Sequence, residues 1–170
     1  MSKLKDSNDL AQIIKQSIGD FLKGKGFEEF PKAPGLLGKL QGDNLDRNIT
    51  QWRKLYPWKK EWVLFAYNSD TKGISLNVVL TVLVPDFKED LIIDGTNIPY
   101  LLGSKDRYYL PNFCLNLRGK RRMKSILLEI NKGLLWFDQF GSPKKILDRL
   151  MSPNRNGISP KHLHYHSPFA

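Results

Sequence analysis

The chain has 170 residues, 41% of them apolar and 11% aromatic, which supports a hydrophobic core without disulfide or metal staples and excludes an intrinsically disordered polymer. Lys and Arg outnumber Asp and Glu by 27 to 17, a formal charge of +10, and a field of that sign attracts phosphate polymers, anionic membrane surfaces and acidic proteins alike. No apolar run approaches the roughly 18 residues of a membrane span, residues 1–9 hold no apolar leader stretch, and the lone cysteine, Cys114, has no partner for an internal disulfide. The expectation is a single cytoplasmic domain with no membrane insertion, a core over about residues 8–151 and a polar, breaker-rich tail over residues 152–170.

In chain order, the first element is a helix. Leu10, Ile13, Ile14, Ile18, Phe21 and Leu22 form a one-sided stripe at helical spacing after the candidate caps Ser7 and Asp9, and Gly24 and Gly26 stop it. Residues 31–43 carry Pro31, Pro34, Gly35, Gly38 and Gly42 and read as a loop. Residues 49–62 are ambiguous; an edge strand fits, and Pro57 ends whatever form the segment takes. The strongest β signal is residues 62–67 followed by residues 74–84 across a polar turn, a hairpin whose second arm is apolar on both faces toward its end and therefore central. Leu91 to Ile93 and Phe113 to Leu117 offer a further strand pair. The spacing of Ile126, Leu127, Ile130, Leu134 and Phe137 predicts a helix over about residues 120–140, weakened at Gly133. Gly141 closes it, and Ser142 with Pro143 opens a last helix with Ile146, Leu147 and Leu150 as its apolar side. Helix, strands and then helices, without regular βαβ alternation, predict an α+β fold: a mostly antiparallel sheet of about 4–5 strands with the helices on one face.

No catalytic constellation, resident cofactor or metal centre emerges. His162, His164 and His166 alternate in the tail and would line up on one side of an extended segment, which makes them weak metal candidates; no cysteine or carboxylate accompanies them in sequence. Cys114 reads as a structural thiol between Phe113 and Leu115. Asp86, Glu89, Asp90 and Asp94 read as a solvated acidic loop, because no calcium-loop glycine or partner histidine goes with them.

Two basic clusters stand above this background. Trp52, Arg53, Lys54, Tyr56, Trp58, Lys59, Lys60 and Trp62 interleave cations with large aromatics, a pattern suited to stacking on bases beside phosphates, or to a protein interface. The structural alternative is that the rings are core and the lysine stems cover them. Arg118, Lys120, Arg121, Arg122 and Lys124 crowd the start of a helix, where the helix dipole opposes cations and an anion would relieve them.

Several segments together resemble a bacterial family, the domain-of-unknown-function family 4304. The residues are Phe21 to Phe27 at the end of the first helix, the strand from Ile74 to Val78, and Leu135, Trp136, Phe137, Asp138, Gln139 and Phe140 before the last helix. The likeness spans about residues 10–151 and departs after Phe27, where a loop rich in Pro and Gly replaces an aromatic and basic strand. It implies an α+β fold, no catalytic residues and, for some members, an immunity role beside bacterial toxins. The expected function is a non-enzymatic protein-binding module with an acidic partner; the alternative is a nucleic-acid-binding domain that uses the same basic residues.

Overall fold

The computed structural model describes residues 7–30, 48–68, 73–83, 90–103, 108–109 and 117–151. Along the chain these form helix α1 (Ser7–Gly24), strands β1 (Glu28–Phe30), β2 (Asn48–Leu55), β3 (Lys60–Asn68), β4 (Gly73–Leu83) and β5 (Asp90–Asn97), the short helix α2 (Ile98–Leu101) and strand β6 (Tyr108–Tyr109). Helix α3 (Leu117–Leu134), a 3-10 helix (Leu135–Phe140) and helix α4 (Pro143–Met151) follow. The strands make one antiparallel sheet in the order β1-β2-β3-β4-β5, and β6 pairs with the start of β4. The fold is α+β.

Helix α1 buries Ile14, Ile18 and Leu22 of the stripe that its spacing predicts, with Ile13 and Phe21 half-buried at the margins, and it also buries Ala11, which the stripe did not include. It begins at Ser7, so Asp9 lies inside it. Its end is a Schellman closure: the Phe27 amide donates to the Leu22 carbonyl at 3.0 Å and the Gly26 amide to the Lys23 carbonyl at 3.0 Å. Gly26 sits at φ +86°, a conformation open to glycine and strained for a residue with a Cβ. Phe27 and Leu22 then share the core, which turns the chain directly into β1.

The ambiguous stretch over residues 49–62 resolves into β2, a tight turn and the start of β3. In that turn the Tyr56 amide donates to the Lys59 carbonyl at 2.9 Å, and Pro57 occupies a position that asks for no donor. Strand β2 is not a sheet edge, because β1 pairs with it from Gln51 to Arg53 while β3 pairs along its other side. The hairpin of β3 and β4 is present, in register from Lys60 opposite Thr81 to Asn68 opposite Gly73; β4 is interior, between β3 and β5, and the middle strand is β3.

Pairing of β4 with β5 shifts register between Leu80 and Thr81, leaving Ile93 as the extra residue between Ile92 and Asp94. The bulge lets Ile93 enter the helix-side core while the next residue, Asp94, meets a side chain of α4.

Other expectations need correction. Leu117 begins α3, so no strand ends there; residues 113–116, like the loop over residues 31–43, lie outside the described residues. The helix expected over residues 120–140 starts three residues earlier and tightens to 3-10 geometry after Leu134. Gly133 is a packing position: a Cβ there would stand 3.0 Å from two side-chain carbons of Ile98, so its absence lets α3 close on α2. Ser142 Oγ accepts from the Lys145 amide at 3.3 Å, which makes Ser142 the cap of α4, and Ile146 is buried as expected. Leu147, by contrast, faces solvent.

The main core lies between the sheet and the helices, joining Ile14, Ile18 and Leu22 of α1 to Val63, Phe65, Leu76, Val78 and Leu80 of the strands and to Ile126, Ile130, Phe137 and Phe140. A smaller cluster on the other sheet face holds Trp62, Leu64 and Val79, with Phe30 and Ile92 at its margin.

Candidate protein-interaction face

Strand alternation decides the fate of the first basic cluster. Successive side chains of β2 and β3 point to opposite sheet faces, so neighbours in sequence are separated in space. Trp52 goes to the helix side, 2% exposed, with its indole against Gly19 of α1. Trp62 goes to the other side and is fully buried, edge-on to Phe30, its Nε1 donating to Thr81 Oγ1 at 2.9 Å. Neither ring is available for stacking on a base. Trp58 is half-buried against the main core.

The cations of this cluster are also engaged internally. Lys59 and Glu61, each 5% exposed, form an ion pair at 2.5 Å, and the Lys59 ammonium lies 4.6 Å and 5.0 Å from the Tyr56 and Trp58 ring centroids. Tyr56 donates its hydroxyl to the second Glu61 oxygen at 3.4 Å. Lys60 pairs with Asp90 at 2.8 Å, and Asp90 also accepts from Thr81 at 3.1 Å. Arg53 pairs with Glu28 at 2.9 Å and stacks over Phe30 at 4.0 Å, and Lys54 sits 5.7 Å from the Tyr56 ring centroid and 5.9 Å from that of Phe27. Residues 52–62 thus form a closed aromatic and ionic lock at the β2–β3 turn.

The acidic residues correct a second expectation. Asp90 and Asp94 belong to β5, not to a solvated loop, and both are buried. Asp94 takes the Nε and Nη2 of Arg149 at 2.9 Å and 2.7 Å on one oxygen and the Gly95 amide at 2.9 Å on the other, which ties α4 to the sheet. Burial of a carboxylate requires such compensation. Asp86, Glu89, Cys114, His162, His164 and His166 lie outside the described residues. Among the described residues no group of three or more His, Cys, Asp or Glu side chains is placed to hold a metal. No helix among them is long and apolar enough to cross a membrane.

Of the second cluster, Arg121 and Lys124 are exposed. Ile126 and Ile130 anchor α3 in the core, so its opposite side is solvent-facing. Arg121, Lys124, Leu128, Lys132 and Leu135 are all exposed, and at about 3.6 residues per turn they fall within roughly a quarter-turn of one another. Leu128 is 64% and Leu135 62% exposed. Among the described residues Arg121, Lys124 and Lys132 make no ion pair. The only carboxylate on α3, Glu129, lies beside this line, half-buried and within 3.5 Å of Ser125 Oγ. Arg122 is half-buried and engaged, while for Arg118 and Lys120 only the helical backbone is described.

Sequence reasoning singled out Arg121 and Lys124 of this face but missed Lys132 and the leucines. Leu128 and Lys132 differ by four residues from Lys124 and Leu128 in turn, a spacing that was readable, yet the apolar signal of Ile126, Leu127 and Ile130 masked it. The chain matches no protein-family model, no curated protein and no solved structure. Of the residues quoted for the family 4304 resemblance, Leu22, Phe27, Ile74, Leu76, Val78, Trp136, Phe137 and Phe140 are buried, while Lys23 to Gly26, Leu135, Asp138 and Gln139 are exposed.

Proposed function

We propose that the chain is a non-enzymatic protein-binding module that holds an acidic partner surface on the outward face of α3. The observation that carries this reading is the placement of well-exposed Leu128 among the cations Arg121, Lys124 and Lys132, which make no ion pair among the described residues, with exposed Leu135 following at the start of the 3-10 helix. Cations alone suit any polyanion, but phosphate contacts have no use for leucine, and single-strand binders rely on aromatic stacking. Protein interfaces combine an apolar centre with a polar rim. An immunity-type role, in which the module occludes a partner from a bacterial toxin system, is the finer form of this reading and is supported by the family 4304 resemblance.

A photo-crosslinking residue at position 128 in the full chain, compared with one at exposed Leu91 of β5, tests the role in nuclease-treated extracts of the encoding cell. The expected result is one discrete protein adduct at position 128 that is absent at position 91. Adducts that vanish with nuclease, or that form equally at both positions, would count against it.

The second reading is nucleic-acid binding through the same cations. It predicts a gel shift that weakens steeply with salt, survives Leu128→Ala with Leu135→Ala, and falls with Lys124→Gln and Lys132→Gln.

A further inference from the structure

We infer that helix α4 is a latch: it undocks and unwinds as a unit while the sheet stays folded, and the Asp94–Arg149 pair is its clasp. With nine residues it falls below the roughly 12–15 under which isolated helices are marginal in water, so docking keeps it helical. That docking is thin. Ile146 is its only buried residue and Leu150 is half-buried against the same core, while Lys144, Lys145, Leu147, Asp148 and Met151 are exposed. Helix α1, by comparison, buries Ala11, Ile14, Ile18 and Leu22.

A polar contact supplements this small apolar one. Arg149 donates from Nε and Nη2 to a single Asp94 oxygen at 2.9 Å and 2.7 Å, and the Gly95 amide holds the other oxygen at 2.9 Å, which fixes the carboxylate toward α4. Besides packing on the 3-10 helix that leads into it, α4 is joined by this pair to the bulge of β5, 55 positions earlier in the chain. The Asp94 side chain is 5% and that of Arg149 16% exposed, so both charges are largely dry while α4 is docked and hydrated once it leaves. Rehydration offsets much of the attraction that is lost, so the pair fixes where the helix sits without holding it shut firmly. Elements with few buried apolar contacts open at free energies well below that of global unfolding.

The test is native-state hydrogen exchange of the full chain under conditions where reclosing outpaces exchange. Amides of residues 147–151 should exchange at least about a hundredfold faster than the slowest amides of β3 and β4, once corrected for intrinsic rates. Asp94→Asn replaces charge-assisted bonds by neutral ones and should speed exchange in α4 by about tenfold. Strand β4 should quicken by the same factor, since the clasp is lost in either opening. Val79→Ala, in the cluster on the far face of the sheet, should quicken β3 and β4 and leave α4 unchanged, because that cluster stays closed when the latch opens. Asp148→Asn, at an exposed carboxylate of α4 itself, should change neither.

An α4 that exchanges at the rate of β4 would overturn the inference by showing that it opens only in global unfolding, and so would an α4 that quickens with Val79→Ala. Exchange in α4 unmoved by Asp94→Asn would remove the clasp. Arg149→Gln approaches the same contact from the helix side and should also quicken α4; failure to do so would overturn the clasp as well.

Discussion

Both basic clusters are rich in cations, only the first carries aromatics, and their described side chains meet opposite fates. Residues 52–62 span two paired strands and their turn, where alternation sends Trp52 and Lys54 to one face and Arg53 and Trp62 to the other; the sheet brings Glu28 and Asp90 to Arg53 and Lys60, and the turn sets Lys59 beside Glu61. Helix α3 has one side buried, so a spacing of three and four residues collects Arg121, Lys124, Leu128 and Lys132 on the outside. Richness in lysine and aromatics is therefore a weak sign of a surface when the segment is a strand inside a sheet. The period of the element decides which side chains stay together.

If the first cluster is scaffold, its largest test is Trp62→Ala. Removing a fully buried indole that bonds Thr81 should cost about 3–5 kcal/mol in urea unfolding, whereas Leu128→Ala on the outward helix should change stability by less than about 0.5 kcal/mol. Equal effects at the two positions would erase the contrast. Next comes the Lys59–Glu61 lock. Lys59→Met leaves the Glu61 carboxylate buried with only the Tyr56 hydroxyl at 3.4 Å, at a cost of about 3 kcal/mol, and adding Glu61→Leu should recover most of that loss. A double variant no more stable than the single one would show that the pair does more than satisfy itself.

Gly133→Ala probes what fixes the outward face of α3. Strain against Ile98 of about 1–3 kcal/mol is offset by about 1 kcal/mol of helix propensity, for a net loss near 1 kcal/mol by thermal melting. In an Ile98→Ala background the same substitution should become neutral or stabilising, which separates crowding from a general intolerance of the position.

The fold was legible wherever a single period dominated. The α1 stripe, the β3–β4 hairpin and the Ser142 cap are all present, because each depends on local spacing and chemistry. Illegible features were those set by distant partners. Asp90 and Asp94 look like loop acids until Lys60, Thr81 and Arg149, far away in sequence, are brought beside them. Trp52 and Trp62 look like a binding face until β2 is known to lie between β1 and β3. On α3 the cations Arg121 and Lys124 were readable and their importance was not, because the aromatic interleaving of the first cluster drew attention to residues that turn inward.

The smallest expected effect has the opposite sign and concerns a buried polar group at the other end of β3 from the lock, left unpaired among the described residues. Tyr67 is buried beside Phe65 and Ile74 on the helix side of the sheet, and its hydroxyl has no hydrogen-bond partner among the described residues. Desolvating a hydroxyl without replacing its water bond is unfavourable, so Tyr67→Phe should raise stability by about 1 kcal/mol in urea unfolding with the slope unchanged. A loss of similar size would mean that the hydroxyl is satisfied in solution. A gain would show that the tyrosine is retained at a cost to the core, in contrast to Tyr56, whose hydroxyl reaches Glu61 in the lock.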